Sequence, residues 1–256
     1  MVGPEPALVV ERVAAMVASD WPTTDEDRRA WFASFGIPVE GRMVTEPERL
    51  LSRGRQYFSP PAADWPATGW HVHRDRFVGV SWFLWAQEDE DATRAAAESL
   101  RALFSAHWPA VDQHSDRVAG FTALWEPGDC QVDFYFHAPR DHPRAGTVPG
   151  AVQLHIDHRG RAAELELEAL IGDVLENTWD PIGVYTGPFE LRPPEGEYDT
   201  YVGWIADRLQ AGGGQTEILA ELRRAREWMG LEHATRGDEE ATERILERWR
   251  EHLAKR

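Results

Sequence analysis

The spacing of apolar residues changes twice along this 256-residue chain, and those two changes constrain the fold more than any single motif. From Trp70 to Asp157 the spacing is two, save for one helical stretch at 88–108. In FVGVSWFLWA, Val78, Val80, Trp82 and Leu84 alternate with Phe77, Gly79, Ser81, Phe83 and Trp85. Both sets are largely apolar, which predicts a central strand covered on its two faces. VAGFTALW and CQVDFYFH flank the turn Glu126-Pro127-Gly128-Asp129, and two strand-like runs about a Pro-Gly turn predict a hairpin. After a proline- and glycine-rich loop at 139–150, AVQLHID supplies another strand.

Elsewhere the spacing is helical. Leu8, Val9, Val13, Met16 and Val17 share one helix face. Thr24 can cap a helix over 25–35 with Asp27 at its N3 position, an inner stripe of Ala30, Trp31, Ser34 and Phe35, and Gly36 just beyond its end. Leu50, Leu51, Tyr57 and Phe58 predict a third short helix stopped by Pro60-Pro61. EDEDATRAAAESLRALFSAHW reads as a helix with acids in its first turn, where the helix dipole favours them.

From Leu167 four stripes follow in succession. They are Leu167-Leu170-Ile171-Val174-Leu175, then Tyr198-Tyr201-Val202-Ile205-Leu209, which AGGGQT ends. The third, Ile218-Leu222-Ala225-Met229, follows a Thr216 cap, and the fourth, Ala241-Ile245-Trp249-Leu253, follows an Asp238 cap. The expectation is an α+β chain. N-terminal helices pack on a mainly antiparallel sheet in residues 1–160, and a small C-terminal four-helix bundle occupies 161–256.

Composition narrows the function. A hydrophobic content of 42% with 12 Trp marks a folded chain. The net charge of −17 is spread over both halves; it repels nucleic-acid phosphates and anionic membranes and favours a basic partner. No apolar run approaches the ~20 residues of a bilayer span. The N-terminal stretch lacks the basic start of a signal peptide. The only cysteine, Cys130, rules out an intramolecular disulfide and suits a reducing cytoplasm.

Two stretches can carry function. In CQVDFYFH, Gln131, Asp133, Tyr135 and His137 oppose Cys130, Val132, Phe134 and Phe136; in AVQLHID, Gln153, His155 and Asp157 oppose Val152, Leu154 and Ile156. If these strands are neighbours, Asp133, His137, His155 and Asp157 share one surface, with His71 and His73 of WHVH pointing alike. Two carboxylates and two imidazoles can bind a divalent metal or do acid–base work. The simpler reading is the solvated face of an antiparallel sheet. No HExxH, paired CxxC, GxGxxG, GxxxxGK[ST] or GxSxG occurs. Cys130, with inward parity, reads as a core thiol. Arg223, Arg224 and Arg226, interleaved with Glu221 and Glu227, read as a solvated helix face.

The second stretch is WDPIGV at 179–184. Pro181 biases Asp180 away from helix, Asp180 can accept turn amides, and Trp179, Ile182 and Tyr198 can fill a bundle core. WDPIGV, EYDTYVGWIADRLQAGG (197–213) and ILAELRRAREWMGL (218–231) together resemble a small bacterial helical domain family of unknown function, over about 165–231. This chain departs from that pattern by a longer TGPFELRPPEG loop and a helix after Met-Gly-Leu. The N-terminal part is similar to uncharacterised actinobacterial proteins with a VQLxVD-type strand. Such small acidic domains resemble components of bacterial toxin–immunity loci.

The resemblance implies a non-enzymatic protein-binding protein, an immunity-type inhibitor or adaptor, with Trp179, Asp180, Tyr198 and Asp199 as candidate binding residues. The expected partner is a protein, basic in charge, and no cofactor, nucleic acid or membrane is expected. Two alternatives stand beside it. One is a metal-dependent or acid–base hydrolase using Asp133, His137, His155 and Asp157; the other is a structural subunit of a larger assembly.

Overall fold

The computed structural model describes residues 4–43, 55–61, 65–85, 90–116, 120–142, 146–182, 198–231 and 237–254. Leu50, Leu51, Glu88, Asp89, Val118, Ala119, Gly183 and Glu197, which carried expectations above, lie outside the described residues. The chain divides into two compact units, with the boundary between Ala162 and Ala163. The architecture is α+β, with N-terminal helices, a central antiparallel sheet and C-terminal helices. No described helix is long and apolar enough to cross a membrane.

The first unit opens with α1 (Pro6–Ala18) and α2 (Asp25–Ser34). Thr24 caps α2 reciprocally: its Oγ1 accepts from the Asp27 amide at 3.2 Å, and Asp27 Oδ2 accepts from the Thr24 amide at 3.1 Å. Strands β1 (Arg42–Met43), β2 (Arg55–Ser59), β3 (Thr68–His73) and β4 (Arg76–Leu84) lead to α3 (Glu90–His107). Then come β5 (Ala110–Asp116), β6 (Gly120–Trp125), β7 (Cys130–His137), the short pair β8 (Arg140–His142) and β9 (Gly146–Val148), and β10 (Ala151–His158). Eight strands form one antiparallel sheet in the order β1-β2-β3-β4-β10-β7-β6-β5. One sheet face is covered by the three helices. Val13 and Met16 of α1, Phe32 of α2 and Leu100 and Phe104 of α3 join Trp82, Leu154, Phe134 and Trp125 in a single apolar core. Cys130 sits in that core, and burial pushes its thiol up to about 12, so it is a packing residue rather than a nucleophile.

Helix α4 (Arg159–Val174) carries the chain across the boundary and widens into one π-turn over Leu175–Trp179. With α5 (Asp199–Gln210), α6 (Gln215–Trp228) and α7 (Gly237–Ala254) it encloses a second core, centred on Leu175, Tyr198, Val202, Ile218, Leu222 and Ala241.

Several expectations are corrected. Tyr57 and Phe58 lie in strand β2, not a helix; Tyr57 stacks on Trp70 of β3 at 5.6 Å, and β-favouring aromatics with a cross-strand partner outweigh the helical spacing. AVDQHSD forms edge strand β5, invisible to a hydrophobic pattern because its side chains from Val111 to His114 are exposed. The 139–150 loop contains the β8–β9 pair. Gly214, not Thr216, is the N-cap of α6, and the Glu217 carboxylate reaches back to the Gly214 amide at 3.0 Å. Leu253 is 47% exposed rather than inward. Phe83, on the strand expected to be covered on both faces, is 46% exposed. Of the residues read as a solvated face of α6, Arg223, Arg224 and Glu227 are exposed, but Arg226 and Glu221 are buried.

Candidate functional site

The other sheet face collects the polar residues of the strands, as their alternation anticipated, and most of them are half-buried. Antiparallel pairing arranges them in rows. His71, Gly79, Asp157 and Gln131 cross β3, β4, β10 and β7; the next row runs Gly69, Ser81, His155 and Asp133; the third runs Phe83, Gln153 and Tyr135. Asp133 and His155 are therefore direct cross-strand neighbours, whereas His137 pairs with Ala151 at the exposed end. The register shifts between His71 and Val72, and His73 ends β3 opposite Arg76 in a buried position.

Gly79 governs the first row. A Cβ there would lie 1.6 Å from Asp157 Oδ1, so the carboxyl occupies the space that any other residue would fill. Leaning across β4, it brings Oδ1 to 3.5 Å from His71 Nε2, with the two side chains 16% and 17% exposed. Burial, and then the nearby Asp133, push the Asp157 carboxyl up to about 8. Burial, followed by His155 and His73, depresses His71 to about 4. His155 is also held at about 4 by burial and then His137. Its Nε2 accepts from Gln153 Nε2 at 2.6 Å, and the Gln153 carbonyl takes His137 Nε2 at 3.2 Å, a chain that suits a neutral His155. Burial also raises Asp133, against the Gln131 amide that donates to its Oδ2 at 2.7 Å.

A carboxyl raised to about 8 has a stability consequence with a definite sign. The native state favours its protonated form, so its contribution is intact below about pH 4, where the unfolded chain is also protonated, and is lost as pH rises to about 8. Asp157→Asn removes that titration. Urea unfolding of the variant should match the parent near pH 4 and exceed it by about 5 kcal/mol at pH 8.5.

The four residues proposed for a hydrolase thus share a face without converging. Asp157 reaches His71, and Asp133 faces His155. Among the described residues no group of three or more His, Cys, Asp or Glu is placed to hold a metal ion.

In the second unit, the candidate binding residues sit mainly inside. Trp179 ends the π-turn, which the Asp180 amide closes onto Leu175 O at 2.8 Å. The Trp179 indole nitrogen donates to Asp238 Oδ1 at 2.9 Å, and Tyr198 OH donates to Asp180 Oδ1 at 2.7 Å. Trp179 and Tyr198 are buried, Asp180 is half-buried, and Asp199 is an exposed acid in the first turn of α5. The motif is therefore a pin for the bundle.

Its rings continue outward. Trp179 meets Tyr198 at 5.5 Å, Tyr198 meets Tyr201 at 6.3 Å, Tyr201 meets Trp204 at 5.4 Å, and Trp204 meets Trp228 at 6.1 Å. The row begins in the core and ends on Trp228, which is 74% exposed. Arg224 lies 4.0 Å over the Trp204 ring, and the buried Glu221 carboxylate holds Arg224 at 3.0 Å and Arg208 at 2.9 Å. Along the same helix a shallow 490 Å³ depression is lined by Thr216, Leu219, Ala220, Arg223, Arg224 and Glu227. Sequence reading missed this surface. A signal was there: Trp228 falls outside the inner stripe of Ile218, Leu222, Ala225 and Met229, and a tryptophan out of phase with its helix's apolar face requires a reason.

No family model, curated protein or solved structure matches this chain.

Proposed function

We propose that this chain is a non-enzymatic binding protein that engages a protein partner through Tyr201, Trp204, Arg224 and Trp228. The observation that carries the reading is the exposed Trp228 standing on Trp204, which also carries a stacked guanidinium. Tryptophan, tyrosine and arginine are the residues most enriched among energetic anchors of protein interfaces. Here their geometry is set in advance. The buried root of the row, Trp179 and Tyr198, fixes α5, and Glu221 fixes Arg224, so little side-chain freedom remains to be lost on binding. A net charge of −17 speeds encounter with a basic protein. The finer form of the proposal, supported by the resemblance over 165–231, is an immunity-type inhibitor or adaptor in a bacterial cytoplasm.

The test is affinity capture from source cells with the parent and Trp228→Ala side by side, followed by titration of the identified partner with purified components. The expected result is a partner retained by the parent and bound at least tenfold more weakly by the variant, while unfolding stability changes by no more than about 0.5 kcal/mol. Capture profiles identical for the two proteins would sink the assignment. Size-exclusion light scattering of the parent alone identifies the case in which the partner is a second copy.

A further inference from the structure

We propose that the surface along α6 receives an acidic amphipathic helix of the protein partner, its carboxylates meeting Arg223 and Arg224. The inference rests on the docking role given above to Trp228 and adds the chemistry of the segment that docks. Local charge supports it. The whole chain carries −17, yet the 490 Å³ depression on α6 is lined by two arginines, Arg223 and Arg224, against one carboxylate, Glu227. Arg223 is exposed, and among the described residues it has no ion pair, although Glu227 stands one turn further along the helix. An unpaired arginine on so acidic a chain is a group that an incoming carboxylate can claim.

Arg224 is set in place beforehand. Its Nη1 donates to Glu221 at 3.0 Å, and its guanidinium lies 4.0 Å over the Trp204 ring. A guanidinium has five N–H donors, so most of those on Arg224 remain open to a ligand. Glu221 is only 6% exposed and also takes Arg208, at 2.9 Å, so its charge is spent inside the protein. Helical spacing then orders the surface. Leu219-Arg223-Glu227 and Ala220-Arg224-Trp228 form two rows at i, i+4 and i+8, the ridges against which a second helix packs. Three successive turns therefore present an apolar pair, a basic pair, and a glutamate beside the exposed Trp228. The complement is a helix with an apolar residue, an acid and an apolar residue on successive turns, the helix-in-groove mode of recognition.

Overall charge and local charge act over different ranges. In about 0.1 M salt, exposed charges more than about 10 Å apart are largely screened. The −17 of the chain biases the approach of a protein that is basic overall, while the turn carrying Arg223 and Arg224 decides which of its segments makes contact. A partner drawn in by its basic surface thus docks by an acidic helix.

The experiment titrates the intact chain with two synthetic helical peptides, each as long as α6 and built on the same leucine row, one flanked by glutamates and the other by lysines. Amide chemical shifts in about 0.15 M salt locate and measure binding. The expected result is saturable shifts on α6 with the glutamate peptide, bound about fivefold more tightly than the lysine peptide even though the net charge favours the latter. Arg223→Glu, a change at an exposed position, should keep a dispersed spectrum and invert that preference. No shift on α6 with the glutamate peptide, equal or tighter binding of the lysine peptide by the parent, or an unchanged preference in Arg223→Glu overturns the proposal. Trp228→Ala separates this inference from the docking role itself. Loss of binding to both peptides in that variant, with no preference for glutamate in the parent, keeps the docking surface and discards the charge; equal binding by Trp228→Ala and the parent discards both.

Discussion

Asp238→Ala should destabilise the C-terminal unit by about 3–5 kcal/mol, the loss expected when one partner of a buried ion pair is removed. Asp238 lies at the start of α7, only 2% exposed, and both its oxygens are in use. Oδ2 takes Arg226 Nη2 at 2.6 Å, and Oδ1 takes the Trp179 indole at 2.9 Å. Its main-chain carbonyl takes Thr242 Oγ1 at 2.7 Å. Alanine keeps that last bond and loses the other two, leaving a guanidinium that is 5% exposed without this carboxylate. Asp238→Asn retains an acceptor for Trp179 but no charge for Arg226, and should fall between the variant and the parent. Denaturant unfolding followed by tryptophan fluorescence measures both, and a loss under about 1 kcal/mol for alanine would show that water replaces the carboxylate. The motif Trp179-Asp180 loses its anchor in the same variant.

Gly79→Ala is the second large effect, with an expected loss of about 2–4 kcal/mol from overpacking a closed sheet position. The added methyl would lie 1.6 Å from Asp157 Oδ1 and 2.8 Å from the backbone oxygen of Ile156. The side chain can swing away, but the carbonyl belongs to the strand paired with β4 and moves only if the pairing opens. Rotation of Asp157 separates it from His71 and exposes its carboxyl. Gly79→Ala should therefore be less stable than the parent at every pH, and its stability should fall less between pH 5 and pH 8.5. Unfolding curves at both values measure this, and equal pH dependence in the two proteins would mean that Asp157 has not moved.

How much of this was legible depends on what a side chain's neighbours are. Strands β4, β7 and β10 and the Thr24 cap were readable because alternation and capping are local properties of the chain. Asp133 and His155 were placed on one surface for the same reason, since parity needs only that two strands be neighbours. The pairing of Asp157 with His71 was not readable. It crosses an intervening strand, and its cause is the absence of a side chain at Gly79, which no pattern of polar residues records. Nor was the burial of Arg226, because its partner Asp238 looked like an ordinary helix cap and the Trp179 bond that completes the trio spans 59 residues. Edge strand β5 escaped because a strand with exposed side chains has no apolar face to betray it.

The place of β10 in the sheet bears on how the first unit assembles. Strands β1 to β4 and strands β5 to β7 are each joined to their immediate chain neighbours, and each set can zip from its own turns. β10 follows both, yet stands between them, bonding to β4 on one side and β7 on the other. Until residues 151–158 leave the ribosome, two half-sheets each expose an open edge built of Val78, Val80 and Trp82 or of Val132, Phe134 and Phe136. Closure must wait for a late strand with distant partners, the kind of step that makes folding slow and leaves adhesive edges waiting. A nascent chain stalled just short of Ala151 would carry two such edges with nothing to fill the gap.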